Sequence, residues 1–132
     1  MRLIRRQDLE EVQLPGRIIQ RAVGKDGLSL STRMTVGFAR HSGTTGHEQH
    51  HHAEEFVYIL SAQDSRVRYG PSPDHLGSPL AVETGMMLHF PDLEWHVFDI
   101  GPGGYVDALF FYGQVDNIRP EDMIKDRDTK RA

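Results

Sequence analysis

Short stretches rich in β-branched and aromatic residues recur along this chain, each closed off by glycine or proline. They are RIIQRAV (17–23), LSLSTRMTVGFA (28–39), FVYIL (56–60), SRVRY (65–69), MMLHF (86–90), WHVFDI (95–100) and YVDALFFY (105–112). Turn residues stand between them at Pro15-Gly16, Gly24 to Gly27, Gly43 to Gly46, Gly70 to Pro73, Gly77 to Pro79, Gly85, Pro91 and Gly101 to Gly104. Extended segments punctuated about every 8–12 residues predict an all-β antiparallel sandwich or barrel. Within 28–39, Leu28, Leu30, Thr32, Met34, Val36 and Phe38 share one parity, while Ser29, Ser31, Arg33 and Thr35 share the other. That alternation predicts a strand with the first set buried.

Helical patterns are weak and terminal. Asp8 to Glu11 suits a single turn. Arg119-Pro120-Glu121-Asp122-Met123-Ile124 predicts a short helix, with proline in the first turn and acids near the positive end of the dipole. Nine of the 14 residues from Arg119 to Ala132 are charged with mixed signs, which predicts a solvated end. No internal repeat or linker divides the chain. Residues 1–132 therefore read as a single domain, with the barrel core at about 17–113 and a helical, charged tail at 114–132.

Composition narrows the function classes. At 132 residues and 38% hydrophobic, the chain is large enough to bury a core. A formal charge of −4 gives no basic field, so nucleic acid is not an expected partner. The longest apolar runs, Phe56–Leu60 and Ala108–Tyr112, fall far short of a membrane span. The absence of cysteine excludes disulfides, thiolate metal sites and a cysteine nucleophile, and fits a reducing compartment. MRLIRRQDLEEVQLPG has no apolar signal-peptide core, so the expectation is a cytoplasmic protein. GPGG at 101–104 lacks the Lys-Ser/Thr of a phosphate loop, and no Gly-x-Ser-x-Gly elbow occurs.

The chemistry concentrates in histidine. Gly43-Thr44-Thr45-Gly46-His47-Glu48-Gln49-His50-His51-His52-Ala53-Glu54-Glu55 runs directly into FVYIL. Alternate strand residues share a face, so His50 and His52 can aim two imidazoles at one point. A carboxylate just after the turn supplies a third ligand. A second segment, Gly85-Met86-Met87-Leu88-His89-Phe90-Pro91-Asp92-Leu93-Glu94-Trp95-His96, is strand, proline turn and strand, and brings His96 back to the same barrel end. Nitrogen and oxygen ligands without sulfur suit one divalent Fe, Mn, Ni, Co or Zn ion.

The two segments resemble the paired motifs of the cupin superfamily. The first motif there is Gly, five residues, His-x-His, three or four residues, Glu, six residues, Gly. The second is Gly, five residues, Pro-x-Gly, two residues, His, three residues, Asn. Gly85, Pro91 and His96 match the second motif, with Leu93 for the inner Gly and Ile100 for the Asn. Glu55-Phe56-Val57-Tyr58-Ile59-Leu60-Ser61-Ala62 resembles the close of the first, with Ala62 for Gly. The resemblance implies a double-stranded β-helix (jelly-roll) barrel with a metal at its mouth. The register inside the first motif stays open. With Glu55 fixed, three-residue spacing selects Gln49 and His51, four-residue spacing selects Glu48 and His50, and the pairing of His50 with His52 needs a shorter turn. His50, His52, Glu55 and His96 are taken as the metal set because two imidazoles hold a transition metal better than one, with Gln49 and His51 as the register alternatives. Glu54 is the weaker carboxylate and can orient a ligand instead.

The resemblance further implies an enzyme of oxygenase, isomerase or lyase type acting on a small polar metabolite. The alternatives are a barrel that binds or senses a sugar or metabolite without turnover, and a structural dimer unit with a degenerate site. Tyr58, Phe90, Trp95, Phe98, Tyr105, Phe110 and Tyr112 read as core or pocket wall. Met86 and Met87 read as core packing, His41 and His75 as exposed turn residues, and Arg33, Arg66 and Arg68 as a solvated face. His47 joins the site only in another register, and His89 is weighed as a pocket residue against plain packing. A homodimer is expected, with RIIQRAV as the strand that exchanges or pairs across the interface.

Overall fold

A computed structural model describes residues 1–43 and 54–113. The histidine cluster at 47–52 and the C-terminal helix expected at 119–124 lie outside the described residues. Among the described residues, a 3₁₀ turn at Arg6–Asp8 precedes seven strands: β1 (Val12–Leu14), β2 (Arg17–Val23), β3 (Met34–Ser42), β4 (Glu55–Gly70), β5 (Leu80–Ala81), β6 (Met87–Phe90) and β7 (Trp95–Gly113). Every pairing between these strands is antiparallel. Among the described residues, no helix is long and apolar enough to cross a membrane.

FVYIL and SRVRY are parts of the one long strand β4, and WHVFDI and YVDALFFY are parts of β7. The two strands pair from Glu55↔Tyr112 to Gly70↔Trp95, with register shifts at Ile59/Ser61 and Gln63/Ser65. Bulges bend a ribbon and increase its twist. At the second shift β7 carries Gly101 to Gly104 as extra chain, and a Cβ on Gly104 would stand 2.6 Å from the backbone oxygens of both Gln63 and Asp64. Only glycine allows the two backbones so close. Beyond the bend the ribbon changes neighbours. Near Glu55 it lies between β6 and β3, whereas near Val67 it is flanked by β5. Val57, Ile59 and Phe110 from one layer share a core with Val67, Phe98 and Val82 from the other. The ribbon thus folds over itself as a jelly-roll barrel, the all-β architecture expected from the turn spacing.

The register sorts the inner face into rows. Phe90, Glu55, Tyr112 and Thr35 stand side by side across β6, β4, β7 and β3. Leu88, Val57, Phe110 and Gly37 form the next row, and Ile59, Ala108, Ala39 and Ile19 the one after. In β3 the buried side is therefore Thr35, Gly37 and Ala39, opposite to the parity expected from the sequence. Residues 28–33 are outside the strand, with Leu28 and Leu30 exposed. The reason is volume. A Cβ on Gly37 would lie 2.8 Å from Phe110 Cζ, so small residues face the crowded interior and Val36 and Phe38 turn outward.

RIIQRAV lies between two strands of its own chain. As β2 it pairs with β1 on one edge and β3 on the other, so both of its hydrogen-bonding edges are taken within the chain. The N-terminal segment is fastened over the outer face. Arg6 donates to both Asp107 carboxylate oxygens at 2.9 and 2.6 Å and to Gln20 Oε1 at 3.0 Å, with its guanidinium 4.4 Å from the Phe38 ring centre. The bond to Asp107 raises the Arg6 pKa above its ordinary value. The Gln20 amide donates in return to the Arg6 and Leu9 carbonyls.

Candidate metal centre

Glu55 is the first residue of β4 and His96 the second of β7, and they belong to different layers of the barrel. The fold brings Glu55 Oε2 to 3.6 Å from His96 Nε2. Their side chains are 12% and 8% exposed. The spacing exceeds the usual N–H···O range of about 2.7–3.2 Å and is an ion-pair distance. Two ligand atoms, each about 2.1 Å from one metal, stand about 3.0 Å apart at a right angle and about 3.4 Å apart at the tetrahedral angle. The pair thus offers a nitrogen and an oxygen donor at close to the separation a shared ion requires.

Phe90 fixes the imidazole. Its ring stacks on His96 with centroids 3.8 Å apart and planes 14° from parallel. Phe90 is also the cross-strand neighbour of Glu55, so one aromatic side chain touches the histidine and stands beside the carboxylate. On the other flank of Glu55, Tyr112 stacks on Phe110 at 5.2 Å. The donors are therefore set among buried aromatic rings, which exclude water and keep electrostatic attraction strong.

Glu54 and His89 point away from this pair. His89 Nε2 lies 2.9 Å from Glu54 Oε2, and both side chains are more than half exposed. His89 is outside the pocket because it follows Leu88 and precedes Phe90, which take the inner parity of β6. His41 is the opposite case. It sits in β3, half-buried, with its ring 4.9 Å from Phe98, rather than exposed at a turn. His75 is exposed as expected and lies 2.7 Å from Ser72 Oγ through Nδ1. Met86 packs against the core but Met87 is exposed, again by parity. Arg33 and Arg66 are exposed, and Arg68 pairs with Asp99.

His50 and His52, together with Gln49 and His51, lie outside the described residues. Among the described residues, no three of His, Asp and Glu converge as a metal cluster. Sequence reasoning missed Asp92, whose Oδ1 accepts the backbone N–H of Glu54 at 2.8 Å. The only signal was its place at the proline turn. The motif departure at Leu93 is structural. Leu93 takes the left-handed conformation, φ 65°, where a glycine would be unstrained.

No family model matches the sequence, and no curated protein matches it. Solved structures do. The polyketide cyclase RemF from Streptomyces resistomycificus aligns over 90% of this chain and 86% of its own, at 22% identity and a TM-score of 0.65. The hydroxypropylphosphonic acid epoxidase of S. wedmorenis aligns over 85% of this chain and 59% of its own, at 10% identity and TM-score 0.63. Bacillus subtilis oxalate decarboxylase, studied for its Mn(II) centres, aligns over 89% of this chain and 30% of its own, at 18% identity and TM-score 0.64. This chain thus spans less than two thirds of the latter two. At such identities the likeness shows architecture alone.

Proposed function

We propose that this chain, which has the cupin fold its motifs resemble, holds one divalent transition metal where Glu55 and His96 converge, and works as an enzyme on a small polar metabolite. The observation that carries the reading is the 3.6 Å approach of a largely covered carboxylate and a buried imidazole from opposite layers. Burying two such groups costs several kcal/mol, about the scale that metal coordination offsets. His50 and His52 are proposed to complete the set, with Gln49 and His51 as the register alternatives. Three residues of chain span at most about 10–11 Å, so His52 is tethered within that distance of Glu55. An N/O set without thiolate accepts Fe, Mn, Ni, Co or Zn. The similar epoxidase has been solved with Fe(II) and the similar decarboxylase characterised for Mn(II), which supports a redox-capable or Lewis-acid ion here.

When bound, such an ion supplies a Lewis acid or redox centre at its open positions. The chain's own residues do the rest. Phe90 holds the His96 ring plane, the Glu55 carboxylate balances positive charge, and Tyr112, stacked on Phe110, covers one flank of Glu55. The chemistry fits oxygenase, isomerase or lyase types. A second reading, a non-catalytic binding or sensing barrel for a sugar or metabolite, is favoured by Phe90, Val57 and Leu88 beside Glu55, which can pack against a ligand but carry no group to transfer a proton.

The test uses untagged protein, because a histidine tag would itself bind metal. Elemental analysis is expected to find about one divalent ion per chain, removable by chelator with a lower Tm. His96→Ala and Glu55→Ala are expected to lose at least about tenfold in metal affinity, as ligand loss exceeds the effect of outer partners. Metal-free protein whose melting ignores both chelator and added ion refutes the proposal. Turnover in a broad metabolite screen decides against the binding-only reading.

A further inference from the structure

The turn joining β6 to β7 adopts a conformation its sequence resists. Leu93 has φ 65° and is 71% exposed, so burial does not draw it there. Glu94 N–H donates to Pro91 C=O at 3.3 Å, which closes the turn around Asp92 and Leu93. Left-handed backbone at a β-carbon-bearing residue persists when its surroundings over-determine it. Beside Leu93, Asp92 Oδ1 accepts the Glu54 N–H at 2.8 Å. Glu54 immediately precedes Glu55, and Asp92 lies between Phe90 and His96. A single hydrogen bond thus ties the start of the strand bearing Glu55 to the turn that delivers His96 in the other layer. His89, 2.9 Å from Glu54 Oε2, braces the same residue from the outer side.

We propose that Asp92 is a positioning residue, whose bond to the Glu54 amide, acting through the strained Pro91–Glu94 turn, sets the Glu55–His96 spacing that suits a single metal ion. The inference rests on the metal reading above and adds a residue that never touches the ion. Only the acceptor oxygen matters, so asparagine serves as well as aspartate. Phe90 stacked on His96 also links the layers at this end, and it fixes a ring plane.

Co²⁺ titration of the untagged, full-length protein tests this, with affinity measured against a competing chelator and site geometry by the visible Co²⁺ absorption. Asp92→Ala is expected to weaken Co²⁺ by about 10–100-fold, the usual effect of losing an outer partner, and to alter the absorption band. Asp92→Asn is expected to stay close to wild type in both. In the metal-free protein, hydrogen exchange at the Glu54 amide is expected to speed up in the alanine variant but not the asparagine one. Asp92→Ser, too short to reach the amide, gives the same reading if the alanine variant does not fold. Wild-type binding that Asp92→Ala leaves unchanged overturns the clamp alone, as does an asparagine variant as weak as alanine. Wild-type protein that binds no Co²⁺ instead sinks the metal reading, and the spacing role falls with it.

Discussion

Leu93 shows how much one residue's backbone angle can reveal. A left-handed residue with a β-carbon costs about 1–2 kcal/mol, which glycine avoids, while glycine adds about 0.5–1 kcal/mol of unfolded-state entropy. Leu93→Gly is therefore expected to stabilise the chain by about 0.5–1 kcal/mol and to raise Tm by a few degrees. Because Leu93 is largely exposed, little burial is lost in the exchange. Differential scanning calorimetry checks the shift, and a Tm that falls would mean the leucine side chain holds the turn. His89 carries the converse lesson. It is as near to the motif as His96, yet strand parity sends it to the outer side with Glu54.

At the scale of elements, β3 is decided by its neighbours and not by its own hydrophobicity. Gly37 lies beneath Phe110, and its missing β-carbon leaves room that a methyl would take from the Gln20 carbonyl at 2.4 Å. Gly37→Ala is expected to destabilise by about 1–3 kcal/mol, the range for overpacking, measured by urea unfolding. A neutral result would show that β2 can move away from β3. The long ribbon of β4 and β7 is the other decisive element. Its bulges and the Gly101 to Gly104 excursion turn one pair of strands into parts of both layers. Segments that look like four separate strands in the sequence are thereby continuous, and continuity sets Glu55 and His96 face to face.

At the scale of the molecule, the N-terminal strap closes the outer face through Arg6. The paired guanidinium and carboxylate are 35% and 14% exposed, so the full strength of a charge-assisted bond must be discounted for screening. Arg6→Ala is expected to cost about 1–2 kcal/mol, with Arg6→Lys recovering only part, because lysine cannot make the two-pronged contact. Equal stability of the lysine variant and wild type would show that charge alone suffices. Much of the architecture was legible before any coordinates. The turn spacing pointed to an antiparallel barrel, and the lack of cysteine confined any metal to imidazole and carboxylate ligands. The meeting of Glu55 with His96 at one barrel end was legible too, because one opens a strand and the other follows a proline turn. The parity of β3, the enclosed position of β2 and the outward turn of His89 were not. Periodicity is a local property, so the sequence by itself determined most of the extended segments, 28–33 excepted, and which residue types are at hand for chemistry. Which side of a strand faces inward, and how closely two donors approach, depends on side-chain volume across the layers and on bulges between distant strands. Those are properties of the packed barrel, and the tertiary structure alone decided them.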